Sequence, residues 1–213
     1  MKLLGISGSG RPGGITAEVV QEILRAAHVE SQYVSLSGKR INGCIGCLGC
    51  AADNVCQQED DWNEIGAAML KADAIVFGAP DYYGGINALA HSCLERTFCF
   101  RHREKFLLAG TLGVAVGVDG WDSKGNRSAV IDSIERIMRS NLMAVLSPVY
   151  AQGCSQCYTC GFGEDCFAGS VVARHGKIDR ILPEHCPPRL QEQEKALLAA
   201  TRAGRLLGGV LSR

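Results

Sequence analysis

The sequence predicts an α/β protein built on a doubly wound, five-stranded parallel sheet. Short apolar runs, some rich in valine, alternate along the chain with stretches whose apolar residues recur at helical spacing. Parallel strands need crossover connections, and those crossovers put helices on both faces of the sheet. The chain has 213 residues, 46% of them hydrophobic, enough to bury one full core, so a single domain over 1–213 is expected.

The elements follow in order. Lys2 to Ser7 is an apolar run that stops at a Gly/Ser-rich turn, and Thr16 to Ala27 then carries Val19, Val20, Ile23, Leu24 and Ala27 at helical spacing. Gln32 to Leu36 alternates as a second strand. Trp62 to Lys71 reads as a helix, its start marked by Glu59-Asp60-Asp61, because acidic groups favour the positive end of a helix dipole. Ala74 to Gly78 is a third strand, Ile86 to Phe98 a helix, Thr111 to Val118 a buried strand, Ser128 to Ser140 a helix, and Met143 to Tyr150 a fifth strand. A closing helix is read over 189–211, with its periodic body from Gln191 to Leu207. Five strands joined in this way fit a flavodoxin-like sheet, whose ligand sits at the carboxyl ends of the strands near the switch point. Cysteine-rich loops follow strand two, over 41–60, and strand five, over 151–170.

Charge names no partner. Lys+Arg and Asp+Glu stand at 22 each, so no net field draws in nucleic acid or an anionic membrane. The run Met1-Lys2-Leu3-Leu4-Gly5-Ile6 is too short for a signal-peptide core, and no later stretch approaches a membrane span. A cytoplasmic location is expected. Eleven cysteines, an odd number in a chain without a secretion signal, argue against a disulfide framework and for metal or redox chemistry.

The first loop, Gly8-Ser9-Gly10-Arg11-Pro12-Gly13-Gly14-Ile15-Thr16, follows a strand and opens a helix. Backbone N–H groups, hydroxyls and the helix dipole make such a loop a phosphate site, and Arg11 adds a cation. Gly8, Gly10 and Gly13 reproduce G-x-G-x-x-G, but no acidic residue ends a second strand about 20 positions on, so a dinucleotide mode is disfavoured. A glycine turn with a solvated arginine is the ligand-free alternative.

After the third strand comes Gly78-Ala79-Pro80-Asp81-Tyr82-Tyr83-Gly84-Gly85-Ile86-Asn87. Tyr82 and Tyr83 on a Pro/Gly loop can flank a planar ring while Gly84 and Gly85 let backbone N–H groups approach its heteroatoms, which suits a flavin. The alternative is that both rings pack the loop onto the core. The segment after strand four, with Asp119, Gly120 and Trp121, is expected to form the other wall of the ring pocket, Trp121 as a stacking group. No nucleophile-plus-base arrangement is visible, so no catalytic side chain is assigned and the chemistry falls to cofactors.

Cys44, Cys47 and Cys50 are spaced by two residues each, and Cys56 follows. Three such thiolates can wrap one inorganic core and a fourth completes the set that a cubane cluster needs. Zinc accepts four thiolates too, but its structural sites usually pair two knuckles across a longer span. Cys154, Cys157, Cys160 and Cys166 repeat the same interval pattern, which predicts a second centre, iron-sulfur or a zinc staple. Cys93 and Cys99 read as buried small hydrophobes. Cys186, in His185-Cys186-Pro187-Pro188, is a weak candidate for a spare ligand, and His28, His91, His102 and His175 form no ligand spacing.

Taken together, Ser9-Gly10-Arg11 with Gly14 and Thr16 resembles the phosphate loop of the NADPH-dependent FMN reductase and flavodoxin-like superfamily. Pro80, Tyr82, Tyr83, Gly84 and Gly85 resemble its isoalloxazine loop. The run Cys44, Cys47, Cys50, Cys56, followed by Asp60-Asp61, narrows the resemblance to the iron-sulfur flavoproteins over roughly residues 1 to 140. Ile15 stands where that family commonly has asparagine, and Gly10 where it often has proline. The resemblance implies FMN, a 4Fe-4S cluster on those four cysteines, and subunits that complete one another's flavin pockets, hence a homodimer or homotetramer. It also implies electron transfer from a ferredoxin-like donor through 4Fe-4S and FMN to a small-molecule acceptor. The second cysteine group has no counterpart in the resemblance. An NAD(P)H-dependent FMN or quinone reductase and a zinc-stapled scaffold are the alternatives.

Overall fold

A computed structural model describes residues 2–120 and 128–213. Its sheet contains β1 (Leu3–Ser7), β2 (Ser31–Ser35), β3 (Ala74–Tyr82), β4 (Gly85–Ile86), β5 (Leu112–Asp119), β6 (Ala144–Val145) and β7 (Val149–Gln152). The order is β2-β1-β3-β5-β6, with β7 also paired to β5 and β4 to β3. Every pairing is parallel except the short β3–β4 hairpin. Five core strand positions are thus as expected, with two strand segments added.

β1 is buried along its whole length, and β3 and β5 over seven residues each. Strands covered on both faces read as continuous apolar runs, which is why the sequence shows them plainly. One face packs Leu4, Ile6, Phe77 and Ala115 against α2 (Trp62–Leu70), α3 (Ala88–Glu95) and α4 (Ala129–Ser140). The other packs Leu3, Val76, Val114 and Val116 against α1 (Ile15–Ala27) and α6 (Glu194–Leu211). α6 lies so close to α1 that a Cβ at Gly208 would overlap the Ala27 carbonyl oxygen, and one at Gly204 the Ile23 carbonyl oxygen. Two glycines one helical turn apart therefore set the contact distance between these helices.

Three boundaries differ from expectation. The fifth strand is two segments, because Pro148 supplies no N–H to the ladder between β6 and β7. The helix expected from Ile86 begins at Ala88, since Gly85 and Ile86 pair back on β3 and Asn87 turns the chain. The closing helix starts at Glu194, after a 3-10 turn over Leu190–Glu192. The segment after β7 also contains a short helix that periodicity did not reveal, α5 (Ser170–His175). Among the described residues no helix is long and apolar enough to cross a membrane.

Candidate functional site

The carboxyl ends of β1, β3 and β5 open into a cleft of about 470 Å³, within the range of small-molecule sites. It lies where the strand order reverses, as ligand sites in open α/β sheets do.

The loop after β1 is fixed by hydrogen bonds to its backbone. Gly8 N–H donates to Gly78 O (2.6 Å), Asn87 Nδ2 to Gly8 O (2.8 Å), Ser37 Oγ to Gly10 O (2.9 Å) and Arg11 N–H to Ser9 Oγ (3.1 Å). α1 then begins behind Gly14 with no side-chain cap on its first turn among the described residues, so the first-turn backbone N–H groups have no side-chain acceptor there. Ser9, Arg11, Gly14, Ile15 and Thr16 line the cleft; Gly13, at φ +65°, shapes the turn from outside the lining.

Pro80, Tyr82 and Tyr83 also line it. Tyr83 and Gly84 have φ of 57° and 78°, and Tyr82 pairs with Gly85, the positive-φ pair of a two-residue type I′ hairpin. Gly84 N–H donates to Asp81 Oδ1 (2.8 Å). Gly84 and Gly85 therefore build the turn instead of the lining. Tyr82 and Tyr83 are exposed at the mouth, Tyr83 fully, so neither packs the loop onto the core. Gly120 lines the cleft, whereas Asp119 is buried behind it and accepts from Ser128 Oγ (3.3 Å). Trp121 lies outside the described residues.

Several lining residues escaped the sequence reading. Gly153, Ser155, Gln156 and Thr159 form a wall from the segment after β7 together with Cys154, expected there as a metal ligand, and Pro187 and Arg189 arrive from the turn before α6. Arg189 pairs with Glu18 on α1. Cys154 apart, these residues carry no local motif: the pairing of β7 with β5 brings the first group to the cleft, and the contact of Arg189 with α1 brings the second.

Cys44, Cys47, Cys50 and Cys56 lie between β2 and α2 and line one cavity with Arg96, Phe98 and Cys99. Arg96 is the central group. It is about 1% exposed, its Nη1 pairs with Asp60 Oδ2 (2.8 Å), its Nε lies 3.2 Å from Cys56 Sγ, and its guanidinium sits 4.9 Å from the Trp62 ring centre. Burial alone would raise the Asp60 pKa; Arg96 and the Asn42 and Trp62 N–H groups outweigh it and hold the carboxyl below its ordinary value. Arg96 Nη2 is buried with no hydrogen-bond partner among the described residues. A buried cation with a spare donor beside four thiols suits an anionic thiolate centre. His102, to which spacing gave no role, has Nε2 3.1 Å from Cys50 Sγ. Cys93 and Cys99 are buried as expected, and burial pushes each thiol up to about 12.

In the second group, Cys154 lies in the cleft wall and Arg11 Nη2 donates to its carbonyl (2.6 Å). Hydrogen bonding from Ser155 and Ser170 holds the Cys157 thiol below its ordinary pKa. Burial raises Cys154, with Arg11 opposing and Cys186 and Cys157 near enough to add to the rise, so the spare thiol lies beside this group. Beneath it, His175 Nε2 is 3.2 Å from Tyr158 Oη, and the His175 and His185 rings are 5.0 Å apart. Among the described residues no three His, Cys, Asp or Glu side chains are close enough to hold a single ion. A cubane spreads its four ligands over separate irons and asks for wider spacing.

The cleft thus lies at the sheet's switch point, framed by the loop after β1 and the Tyr82–Gly85 hairpin, where open α/β sheets bind their ligands. The family model for NADPH-dependent FMN reductase matches residues 1–151. An iron-sulfur flavoprotein of Methanocaldococcus jannaschii is 36% identical over 149 residues, covering 68% of this chain and 76% of that protein. Among solved structures, a flavone reductase has a TM-score of 0.61 at 17% identity, spanning 98% of this chain and 62% of its own, and an archaeal flavodoxin has 0.53 at 13% with both chains fully covered. The chain belongs to the NADPH-dependent FMN reductase family, among its iron-sulfur flavoproteins, and is a flavin-dependent oxidoreductase of flavodoxin-like fold.

Proposed function

We propose that this chain is an electron-transfer oxidoreductase. It holds one FMN in the cleft and a 4Fe-4S centre on Cys44, Cys47, Cys50 and Cys56, with a second centre on Cys154, Cys157, Cys160 and Cys166. The observation that carries the reading is the four-cysteine cavity with the buried, partly unpartnered Arg96, in a chain whose phosphate-type loop and aromatic hairpin frame a flavin-sized cleft.

Each group of residues has a defined task. The first-turn N–H groups of α1, with Ser9 and Thr16, bind the phosphate, and Arg11 adds charge. Tyr82 and Tyr83 flank the ring and keep water from one edge. Arg96 offsets the negative charge that four thiolates bring to the first centre. Bound FMN supplies two-electron chemistry while iron-sulfur centres pass single electrons. Electrons come from a ferredoxin-like donor and leave to a small acceptor, in an assembly of two or four copies.

A second reading is direct reduction by NADPH, favoured by the description of the family. Anaerobic stopped-flow mixing distinguishes them. Flavin bleaching with a reduced ferredoxin-class protein, and none with NADPH, supports the proposal; fast bleaching by NADPH with no response to the protein donor overturns it.

A further inference from the structure

We infer that the second cysteine loop is part of the flavin site, so that closing its thiolates around a metal centre sets how tightly the chain holds FMN. The inference rests on the proposed reading of the cleft and of the cysteine pattern.

Three observations carry it. Gly153 to Thr159 supply one wall of the cleft, and Cys154 is the cysteine in that wall. Two hydrogen bonds stitch the wall to the two loops expected to grip the flavin. Arg11 Nη2 donates to Cys154 O (2.6 Å) on the phosphate side, and Gln156 Nε2 donates to Tyr82 Oη (3.2 Å) on the ring side. The family match ends at residue 151, immediately before this wall.

The wall has little of its own to hold it. Between β7 and α5 the regular structure is a 3-10 turn over Gln156–Tyr158, and Phe162 and Phe167 are 77% and 93% exposed. Ordering such a segment costs backbone entropy that buried apolar contacts normally offset. Tying four thiolates to one centre closes the loop covalently and offsets that cost another way. The flavin then meets a preorganised wall, and linkage requires the effect to be mutual: FMN must favour metal retention by the same factor.

The first cysteine loop makes the internal comparison. Its cavity shares no residue with the cleft among the described residues, and Cys50 and Cys56 pack against the opposite core cluster. Loading there should leave flavin affinity in its own chain unchanged.

The test is an anaerobic fluorescence titration with FMN, run on the full chain after iron and sulfide reconstitution, alongside metal analysis. The variants are Cys157→Ser/Cys160→Ser, Cys47→Ser/Cys50→Ser and Gln156→Ala. The second-loop pair is expected to weaken FMN by at least about tenfold, and the first-loop pair by no more than about twofold. Gln156→Ala should weaken FMN while metal content stays at the wild-type level. Stripping FMN from wild-type protein should speed metal loss to a chelator from the second loop. Unchanged FMN affinity in a second-loop pair that has lost its metal overturns the inference, as does equal weakening in both pairs. Wild-type protein that binds FMN but no metal at the second loop also overturns it, leaving the flavin reading standing. Wild-type protein that takes up no FMN removes both.

Discussion

Arg96 Nε lies 3.2 Å from Cys56 Sγ while Arg96 Nη1 pairs with Asp60 Oδ2 at 2.8 Å. One fully buried cation thus joins the last cysteine of the first group to the residues just before α2. Arg96→Leu leaves Asp60 buried and unpaired, and breaking a buried pair from one side costs about 3–5 kcal/mol. The expected result is a matching fall in chemical-denaturation stability, with iron lost from the first loop. Arg96→Lys should retain more stability yet less iron, since an ammonium cannot serve Cys56, Asp60 and Asn42 O with one planar fork.

Tyr82→Ala should weaken FMN binding by about twofold to twelvefold, the magnitude of one aromatic contact of about 0.5–1.5 kcal/mol. Thermal stability should change little, because Tyr82 stands at the cleft mouth, 41% exposed and outside the packed core. Equilibrium titration and a melting curve on the same sample check both halves. Gly84→Val is expected to lower stability and FMN affinity together, since a β-branched residue at φ 78° strains the hairpin turn.

At Gly208 the contact between α6 and α1 leaves no room for a side chain. Gly208→Ala should cost about 1–3 kcal/mol through overpacking, despite the better helix propensity of alanine. Gly209, one residue on, faces open space, so Gly209→Ala should be neutral or stabilising. Paired urea denaturation of the two variants measures the contrast.

Glu22 links the same helices. It accepts from Arg25 Nε and Nη2 (2.8 Å each) and from Thr201 Oγ1 (2.8 Å). The Arg25 hydrogen bonds lead in holding its carboxyl below the ordinary 4.5, burial opposes, and Thr201 assists. A depressed folded pKa stabilises above the unfolded value and is lost as pH falls through the folded one. Stability should therefore drop from about pH 4.5 downward, and Glu22→Gln should flatten that part of the curve. Urea midpoints at a series of acidic pH values report it.

How much of this was legible in the sequence follows from how each signal is encoded. β1, β3 and β5 are buried on both faces and show themselves as apolar runs, and α1 and α4 as periodic stretches. Tyr82-Tyr83-Gly84 was read as a loop, because the antiparallel return over Gly85 and Ile86 is only two residues long and hides inside a helix-like pattern. The apolar run from Met143 to Tyr150 reads as one strand, and Pro148, which lacks the N–H that the ladder needs, splits it. In the cleft, Ser9, Arg11, Thr16 and Pro80 sit on segments with local signatures. Gly153, Gln156, Pro187 and Arg189 do not: the first two reach the cleft through the pairing of β7 with β5 and the last two through the contact of Arg189 with Glu18 on α1, long-range events without a local pattern. Arg96 was missed for the same reason, since nothing near it in sequence says that it meets Cys56.

The central claim is best tested by counting iron, inorganic sulfide, zinc and FMN per chain in protein purified without oxygen. About eight irons, matching sulfide and one FMN are predicted, the content of two four-cysteine cubanes and one flavin site. FMN with neither iron nor sulfide would contradict the account, as would iron without flavin; about four irons with one zinc would keep the first centre and turn the second loop into a metal staple.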